Sequence, residues 1–98
     1  MGTTLVATLA FGQALAVAHV GDSRAYLYRA RRLERLTDDH TLGNACLAAN
    51  NPREFAHLAG YMHALTRAIG SEETVQVDAR FVAPQANDVL LLLSLIHI

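Results

Sequence analysis

The chain has little of several residues that mark particular protein classes. Its 98 residues include one cysteine, two prolines and no tryptophan, and only 17% of them are charged. A single cysteine cannot form an internal disulfide, and no cluster of cysteines and histidines has the spacing of a zinc site. The formal net charge of −1 gives no basic footprint for nucleic acid, so we expect no nucleic-acid partner.

Long apolar runs are missing as well. No run approaches the roughly 20 residues of a membrane span, and residues 1–18 lack the basic start of a signal peptide. We therefore expect no membrane association and a cytoplasmic location. By contrast, 52% of the residues are hydrophobic, which is enough for the core of one domain and too many for a disordered segment.

The first third of the chain has the composition and alternation of β-strands. Four strands are predicted, over residues 3–11, 14–20, 24–29 and 33–36. Their short connections favour successive hairpins and an antiparallel meander, in which Gly21 to Arg24 forms a hairpin turn. Residues 14–20 are apolar on both faces, which predicts a strand covered on both sides.

Helices and two further strands are predicted downstream. Residues 41–50 favour a helix, and Asn51 as N-cap with Pro52 in the first turn predicts a second helix that ends near Gly60. Residues 75–81 alternate, which predicts a half-buried strand with its apolar side chains on the covered face. Residues 89–93 are entirely apolar and predict a buried strand.

Five short segments carry a more specific pattern. They are Gly2-Thr3-Thr4 before an apolar strand, Val20-Gly21-Asp22-Ser23-Arg24, Leu36-Thr37-Asp38-Asp39-His40-Thr41, Leu65-Thr66-Arg67-Ala68-Ile69-Gly70, and the run from Asp88 to Ser94. In this order they resemble motifs of the metal-dependent protein serine/threonine phosphatases of type 2C, the PPM family, in its bacterial form. The shared order, rather than any single motif, carries the resemblance.

The resemblance implies an α+β fold, part of an α-β-β-α sandwich in which two antiparallel sheets are flanked by helices. It also implies a dinuclear Mn²⁺ or Mg²⁺ centre and hydrolysis of phosphoserine and phosphothreonine by a metal-activated water. The partners would be phosphorylated protein substrates, the targets of serine/threonine kinases. By the match, Asp22 is the metal-associated carboxylate and belongs to an accessory third metal.

The chain also departs from the family pattern. The family's upstream acid and Asp-Gly-x-Gly-Gly segment are absent, and Leu95 follows Ser94 where the family has an aspartate. We therefore expect residues 1–94 to be the central part of a single domain truncated at both ends, and residues 95–98 to be a foreign or out-of-frame tail. Such a fragment would be inactive by itself.

Two alternatives remain open at this point. The chain could be a non-catalytic pseudo-phosphatase, a regulatory or binding module that kept the sandwich and lost the metals. It could also be an unrelated β-rich domain with chance matches, which the absence of a hairpin turn at Asp22 would favour.

Three polar residues in the matched segments are expected to have structural roles. For Arg24 the default is a solvated strand residue, and pairing with a nearby carboxylate is the alternative. We expect His40 to belong to a turn and N-cap cluster before Thr41 rather than to be a metal ligand. For Arg67 a structural hydrogen-bonding role is expected, rather than contact with phosphate.

Overall fold

The computed structural model describes residues 1–49, 61 and 63–95, so the predicted helix from Pro52 to Gly60 lies outside the described residues. Within these residues the elements, in chain order, are β1 (Leu5–Phe11), β2 (Ala14–Val20), β3 (Arg24–Arg29), β4 (Arg32–Arg35), the helix α1 (Leu42–Ala49), β5 (Asp78–Val82) and β6 (Val89–Leu93). The predicted bounds of β2, β3 and β6 are confirmed. Those of β1, β4 and β5 differ by one to three residues.

The strands form two antiparallel three-stranded sheets, with strand orders β1-β2-β5 and β4-β3-β6. The two sheets face each other, because Val17 of the first sheet packs in one apolar cluster with Ala25 and Leu27 of the second. All three of these side chains are buried, and Leu36 completes the cluster. The predicted sandwich of antiparallel sheets is therefore confirmed.

The prediction of a meander with a hairpin turn at Gly21 to Arg24 is wrong. β2 and β3 do not pair, because they belong to different sheets, and the residues between them carry the chain from one layer to the other. Glycine, aspartate and serine serve a hairpin and an inter-sheet connection equally well, so local turn preference could not separate the two. True hairpins join β1 to β2 and β3 to β4.

The apolar side chains of β5 and β6 are not buried as predicted. β5 pairs Asp78 with His19 and Val82 with Leu15, which puts Asp78 and Val82 on the core side and leaves Phe81 70% exposed. β6 is an edge strand, and Val89, Leu91 and Leu92 on it are exposed. On β2, the core side is covered and the alanine side is half-buried. Alternation correctly gave the strands, but it assigned the wrong face of β5 to the core.

The sandwich has two dissimilar ends. At the turn end lie the two hairpins and the loop before β6, and at the polar end lie the β2–β3 connection, the segment after β4 and the start of β5. All the buried polar side chains among the described residues belong to the polar end: His19, Asp22, Ser23, Thr37, His40 and Thr41. The candidate site is therefore at this end.

The described helix α1 starts at the polar end and is eight residues long. Thr41 caps its N-terminus, because its Oγ1 accepts a hydrogen bond from the Asn44 backbone N–H at 3.2 Å. The cap is therefore Thr41 itself, directly after the segment from Asp38 to His40 in which the cap cluster was predicted. In the part of the chain that the structure describes, no helix combines the length and apolar character needed to cross a membrane.

Candidate functional site

Asp22 lies in the connection between the two sheets and is buried. Gly21 before it has φ of 99°, and a β-carbon there would lie 2.4 Å from Thr4 Cγ2. After it, the Ser23 and Thr4 hydroxyl oxygens lie 2.6 Å apart in a hydrogen bond. Asp22 is therefore carried by a closely packed segment of backbone. Its role as a metal-associated carboxylate remains a prediction.

His40 is buried beside this connection and binds it directly. The Gly21 N–H donates to His40 Nδ1 at 3.0 Å, and the His40 N–H donates to the Gly21 carbonyl oxygen, also at 3.0 Å. The other ring nitrogen, Nε2, lies 2.9 Å from Asp78 Oδ2. Sequence reasoning placed His40 in the cap cluster but missed these contacts, which join three distant segments.

His19 lies against the ring of His40. The two rings stack with centroids 4.4 Å apart and planes 19° apart, and His19 Nε2 donates to the Asp38 carbonyl oxygen at 2.7 Å. Within the described part of the chain, His19, His40 and Asp78 form a group in which one ligand atom of each lies within 4.8 Å of the others. This group is close enough to share a cation, and Asp22 is not a member of it.

The hydrogen bonds of this group fix where its protons are. A carbonyl oxygen and an ionised carboxylate only accept, so Nε2 carries a proton in both His19 and His40. A cation bound through these two atoms would have to displace both protons and both hydrogen bonds. As arranged, the group is a hydrogen-bonded cluster.

Asp78 connects the cluster to Arg67, which lies in the matched segment from Leu65 to Gly70. The Arg67 guanidinium donates to Asp78 Oδ1 at 2.8 Å, and this bond agrees with the structural role predicted for Arg67. Hydrogen bonds from His40 and then from Arg67 lower the pKa of Asp78 to about 2. Asp78 is therefore ionised at neutral pH and can accept from both donors.

Arg24 and Asp39 form a second polar contact at this end. The guanidinium donates through Nε to Asp39 Oδ1 at 2.9 Å and through a second nitrogen to Oδ2, so the expectation of a solvated Arg24 is wrong. Burial by itself would raise the pKa of Asp39, but the hydrogen bonds from Arg24 and the positive charges of Arg24 and Arg35 together outweigh it, so the pKa is lowered. The pair ties the start of β3 to the segment that precedes α1.

Open space borders the cluster on two sides. Cavities of about 390 Å³ and about 190 Å³ share Asp38 and Asp78 in their walls. Asp78 is half-exposed to this space, whereas His40 is buried. Small ligands could therefore reach the carboxylate of Asp78.

Sequence reasoning missed His19 and Asp78 as members of a site. One signal was available for His19, because alternation along residues 14–20 places it on the same face as Leu15 and Val17, which proved to face the core. For Asp78 the alternation pointed the other way. Only the register of β5 against β2 shows that Asp78 lies opposite His19.

Comparison with known proteins agrees with the five matched segments. The family model described as Protein phosphatase 2C matches residues 1–46. The serine/threonine phosphatase stp of Listeria welshimeri is 40% identical over 103 residues, which cover 96% of this chain and 38% of that protein. The chain thus spans about two fifths of the length of this curated relative.

Solved structures give the same result. The serine/threonine phosphatase of S. agalactiae superposes with a TM-score of 0.82 and 32% identity, over 93% of this chain and 38% of that one. The catalytic domain of the phosphatase PstP in complex with two manganese ions superposes with a TM-score of 0.63 and 34% identity, over 93% of this chain and 37% of that one.

These matches overturn the alternative of an unrelated β-rich domain, although the hairpin turn at Asp22 is absent. Gly21 to Arg24 is an inter-sheet connection in a chain whose sequence and fold follow the relatives over nearly its whole length. The chain belongs to the protein phosphatase 2C, or PPM, family in its bacterial form.

Proposed function

We propose that residues 1–94 are the central part of a metal-dependent protein phosphatase that hydrolyses phosphoserine and phosphothreonine in proteins. The observation that carries the proposal is the similarity, over 96% of the chain, to a relative named as a serine/threonine phosphatase. Because the chain spans 38% of that relative, the activity is assigned to a larger domain that includes it. The substrates would be proteins phosphorylated by serine/threonine kinases, and a cytoplasmic location stays a prediction.

The proposed cofactor is Mn²⁺ or Mg²⁺, and Asp22 is the residue of this chain that would hold one ion, the accessory third metal beside the dinuclear pair. Both cations prefer carboxylate and water oxygens, and Asp22 offers a carboxylate on a segment packed between Thr4 and His40. The donor chemistry therefore fits, as one ligand of a site that needs several. When bound, a two-metal centre supplies an activated water and stabilises charge on the phosphoryl group.

The other residues of the polar end support this ligand rather than react. His40 binds the backbone before Asp22, and the Arg24–Asp39 pair holds the strand that begins after it. Asp78 remains ionised and is paired with Arg67 and His40. In this proposal none of them contacts phosphorus.

Phosphate release from synthetic phosphopeptides tests the proposal. The protein is expressed from the complete reading frame that contains these residues, and also as the 98-residue chain alone. We expect the complete protein to hydrolyse phosphoserine and phosphothreonine peptides with Mn²⁺ or Mg²⁺ and to leave a phosphotyrosine peptide intact. Its activity should be lost when EDTA is added. The chain alone should show no turnover.

Two matched variants locate the metal. Asp22→Asn removes one negative charge from the proposed ligand and should raise the Mn²⁺ concentration for half-maximal activity by about tenfold or more. Glu73→Gln makes the same charge change in an exposed loop and should leave that concentration unchanged.

Two outcomes would contradict the proposal. A folded complete protein that binds phosphopeptides without hydrolysing them in either metal would favour the non-catalytic module. Robust turnover by the 98-residue chain would instead show that the site needs nothing beyond it.

A further inference from the structure

We propose that His40 is a positioning residue for Asp22, because it binds both backbone polar groups of Gly21, the residue that precedes the aspartate. The role assigned to Asp22 rests on the function proposed above. The contact between His40 and Gly21 does not depend on that function. The metal role of Asp22 and the positioning of Gly21 by His40 can therefore be tested separately.

A single residue, His40, is the hydrogen-bond partner of both backbone polar groups of Gly21. Gly21 donates its N–H to the imidazole Nδ1 and receives the His40 N–H at its carbonyl oxygen, each at 3.0 Å. Both residues are buried. A buried backbone group without a partner costs about 1–3 kcal/mol. The connection between β2 and β3 is therefore stabilised in the position in which Gly21 keeps both hydrogen bonds to His40.

The ring of His40 is itself fixed in orientation. Because Nδ1 accepts from Gly21, the proton lies on Nε2, which donates to Asp78 Oδ2 at 2.9 Å. His19 stacks on one face of the ring. A flip of the ring would break both side-chain hydrogen bonds at once. The fold therefore keeps Nδ1 in place as the acceptor for the Gly21 N–H.

Thr4 fixes the connection from the other side. Its side chain fills the space where a β-carbon of Gly21 would lie, and its hydroxyl is hydrogen-bonded to that of Ser23. The residues immediately before and after Asp22 are thus held by His40 and Thr4. Partners that orient a metal ligand typically affect metal affinity by about 10–100-fold when removed.

Two conservative variants test the hydrogen bonds of the two His40 ring nitrogens separately. In His40→Asn the side-chain δ oxygen takes the place of Nδ1 and can accept from Gly21, but nothing reaches Asp78. In His40→Gln the terminal amide takes the place of Nε2 and can donate to Asp78, while the Gly21 N–H loses its acceptor. A merely structural role would make the two variants equivalent.

The readouts are amide hydrogen exchange at Gly21, followed by NMR, and titration with Mn²⁺ alone, followed by paramagnetic broadening of signals near Asp22. Both are measured in the protein expressed from the complete reading frame. We expect His40→Asn to keep both properties within about threefold of the unmodified protein. His40→Gln should speed exchange at Gly21 by about tenfold or more and weaken Mn²⁺ binding by about tenfold.

Equal losses in the two variants, or a larger loss in His40→Asn, would overturn the proposal. If Mn²⁺ binds nowhere near Asp22 in the unmodified protein, the proposed metal role of Asp22 fails, and the exchange rates still decide whether His40 holds Gly21.

A measurement on the unmodified protein covers the case in which His40→Gln does not fold. The ¹⁵N shifts of His40 should be of the pyridine type at Nδ1 and of the pyrrole type at Nε2. A scalar coupling should also connect Nδ1 with the Gly21 amide nitrogen. A protonated Nδ1, or the absence of that coupling, would overturn the proposal without any variant.

Discussion

The two ends of the sandwich are built in opposite ways. At the turn end each hairpin is made by neighbours in sequence, with positive φ at Gly12 in one and at Ala30 and Arg31 in the other. At the polar end, contacts join residues as far apart as His40 and Asp78, or Thr3 and Ile69. The turn end also has a long-range ion pair, between Arg29 and Asp88. Its chain reversals nevertheless depend on local backbone preference, whereas the connections at the polar end depend on tertiary hydrogen bonds.

Because its polar groups are buried, the polar end should lose more stability on substitution than the turn end. The buried polar side chains of the described residues all lie at the polar end, and among those residues no buried side-chain nitrogen or oxygen lacks a partner. Removing one partner from such a network leaves another group unsatisfied. We therefore expect the polar end to tolerate substitution less well than the turn end.

The largest effect is expected for Gly21→Ala. The alanine would have to adopt φ of 99° at a cost of about 1–2 kcal/mol, and its β-carbon would meet Thr4 Cγ2 at 2.4 Å and Cβ at 2.7 Å. Overpacking adds about 1–3 kcal/mol. The sum predicts a loss of about 2–5 kcal/mol in the free energy of unfolding, measured by urea titration with circular dichroism at low protein concentration.

Gly12→Ala is the matched control at the turn end. Gly12 also has positive φ, of 55°, but nothing lies within 4 Å of the added β-carbon. Only the backbone cost of about 1 kcal/mol remains. Thr4→Ser should recover part of the Gly21→Ala loss, because it removes Cγ2 and keeps the hydroxyl. Equal losses at Gly12 and Gly21 would break the comparison.

Much of the fold could be predicted from sequence because strand formation is a local property. Strand-like composition and alternation gave β2 and β3, and a continuous apolar run gave β6, each with its observed bounds, while short connections marked both hairpins. The partition of these strands into two sheets could not be predicted locally, because Gly21 to Ser23 suits either connection. The matched family motifs implied the sandwich, although the periodicity alone favoured a meander.

The candidate site was predictable only in part. Motif matching pointed to Asp22, His40 and Arg67, all of which lie at the polar end. The position of Asp78 opposite His19 depends on the register of β5 against β2, and a shift by one residue would move Asp78 to the outer face. No signal within residues 75–81 fixes that register.

The next effect concerns Asp78 and acid. Hydrogen bonds to a charged group contribute about 1.5–3 kcal/mol when buried. Since the Asp78 side chain is 41% exposed, screening reduces our expectation for Asp78→Asn to about 1–2 kcal/mol at pH 7. The loss should be measured by urea unfolding across pH.

The pH dependence of this loss has a definite sign. His40 and Arg67 depress the pKa of folded Asp78 from 3.8 to about 2, so its contribution is fully present above pH 3.8 and lost as the pH falls through about 2. The difference between the unmodified chain and Asp78→Asn should therefore shrink in this window. A difference that stays constant there would contradict the contacts of Asp78 at the polar end.

A smaller effect compares the two ends of β3 directly. Arg24 pairs with Asp39 at the polar end and Arg29 with Asp88 at the turn end, each through two guanidinium nitrogens. Arg24→Lys should cost about 1 kcal/mol, and Arg29→Lys should also destabilise the fold, because lysine cannot reproduce the two-pronged contact.

The two losses should be independent. The arginines are five positions apart along the strand, which is about 17 Å. This is beyond the range at which substitutions usually interact, so the loss in the double variant should equal the sum of the single losses within about 0.5 kcal/mol. A clear departure from additivity would mean that the two ends form a single cooperative network.

The smallest effect is expected for Glu34→Gln, although its ion pair joins the two sheets. Arg80 of β5 lies 3.4 Å from Glu34 of β4, with side chains 51% and 58% exposed. Exposed pairs contribute little, because water and salt screen the charges and both side chains lose freedom, so the change should stay within about 0.5 kcal/mol and vanish at high salt. A loss above about 1 kcal/mol would show that this bridge between the sheets matters more than exposed pairs usually do. Burial would then not be what separates the sensitive parts of the molecule from the tolerant ones.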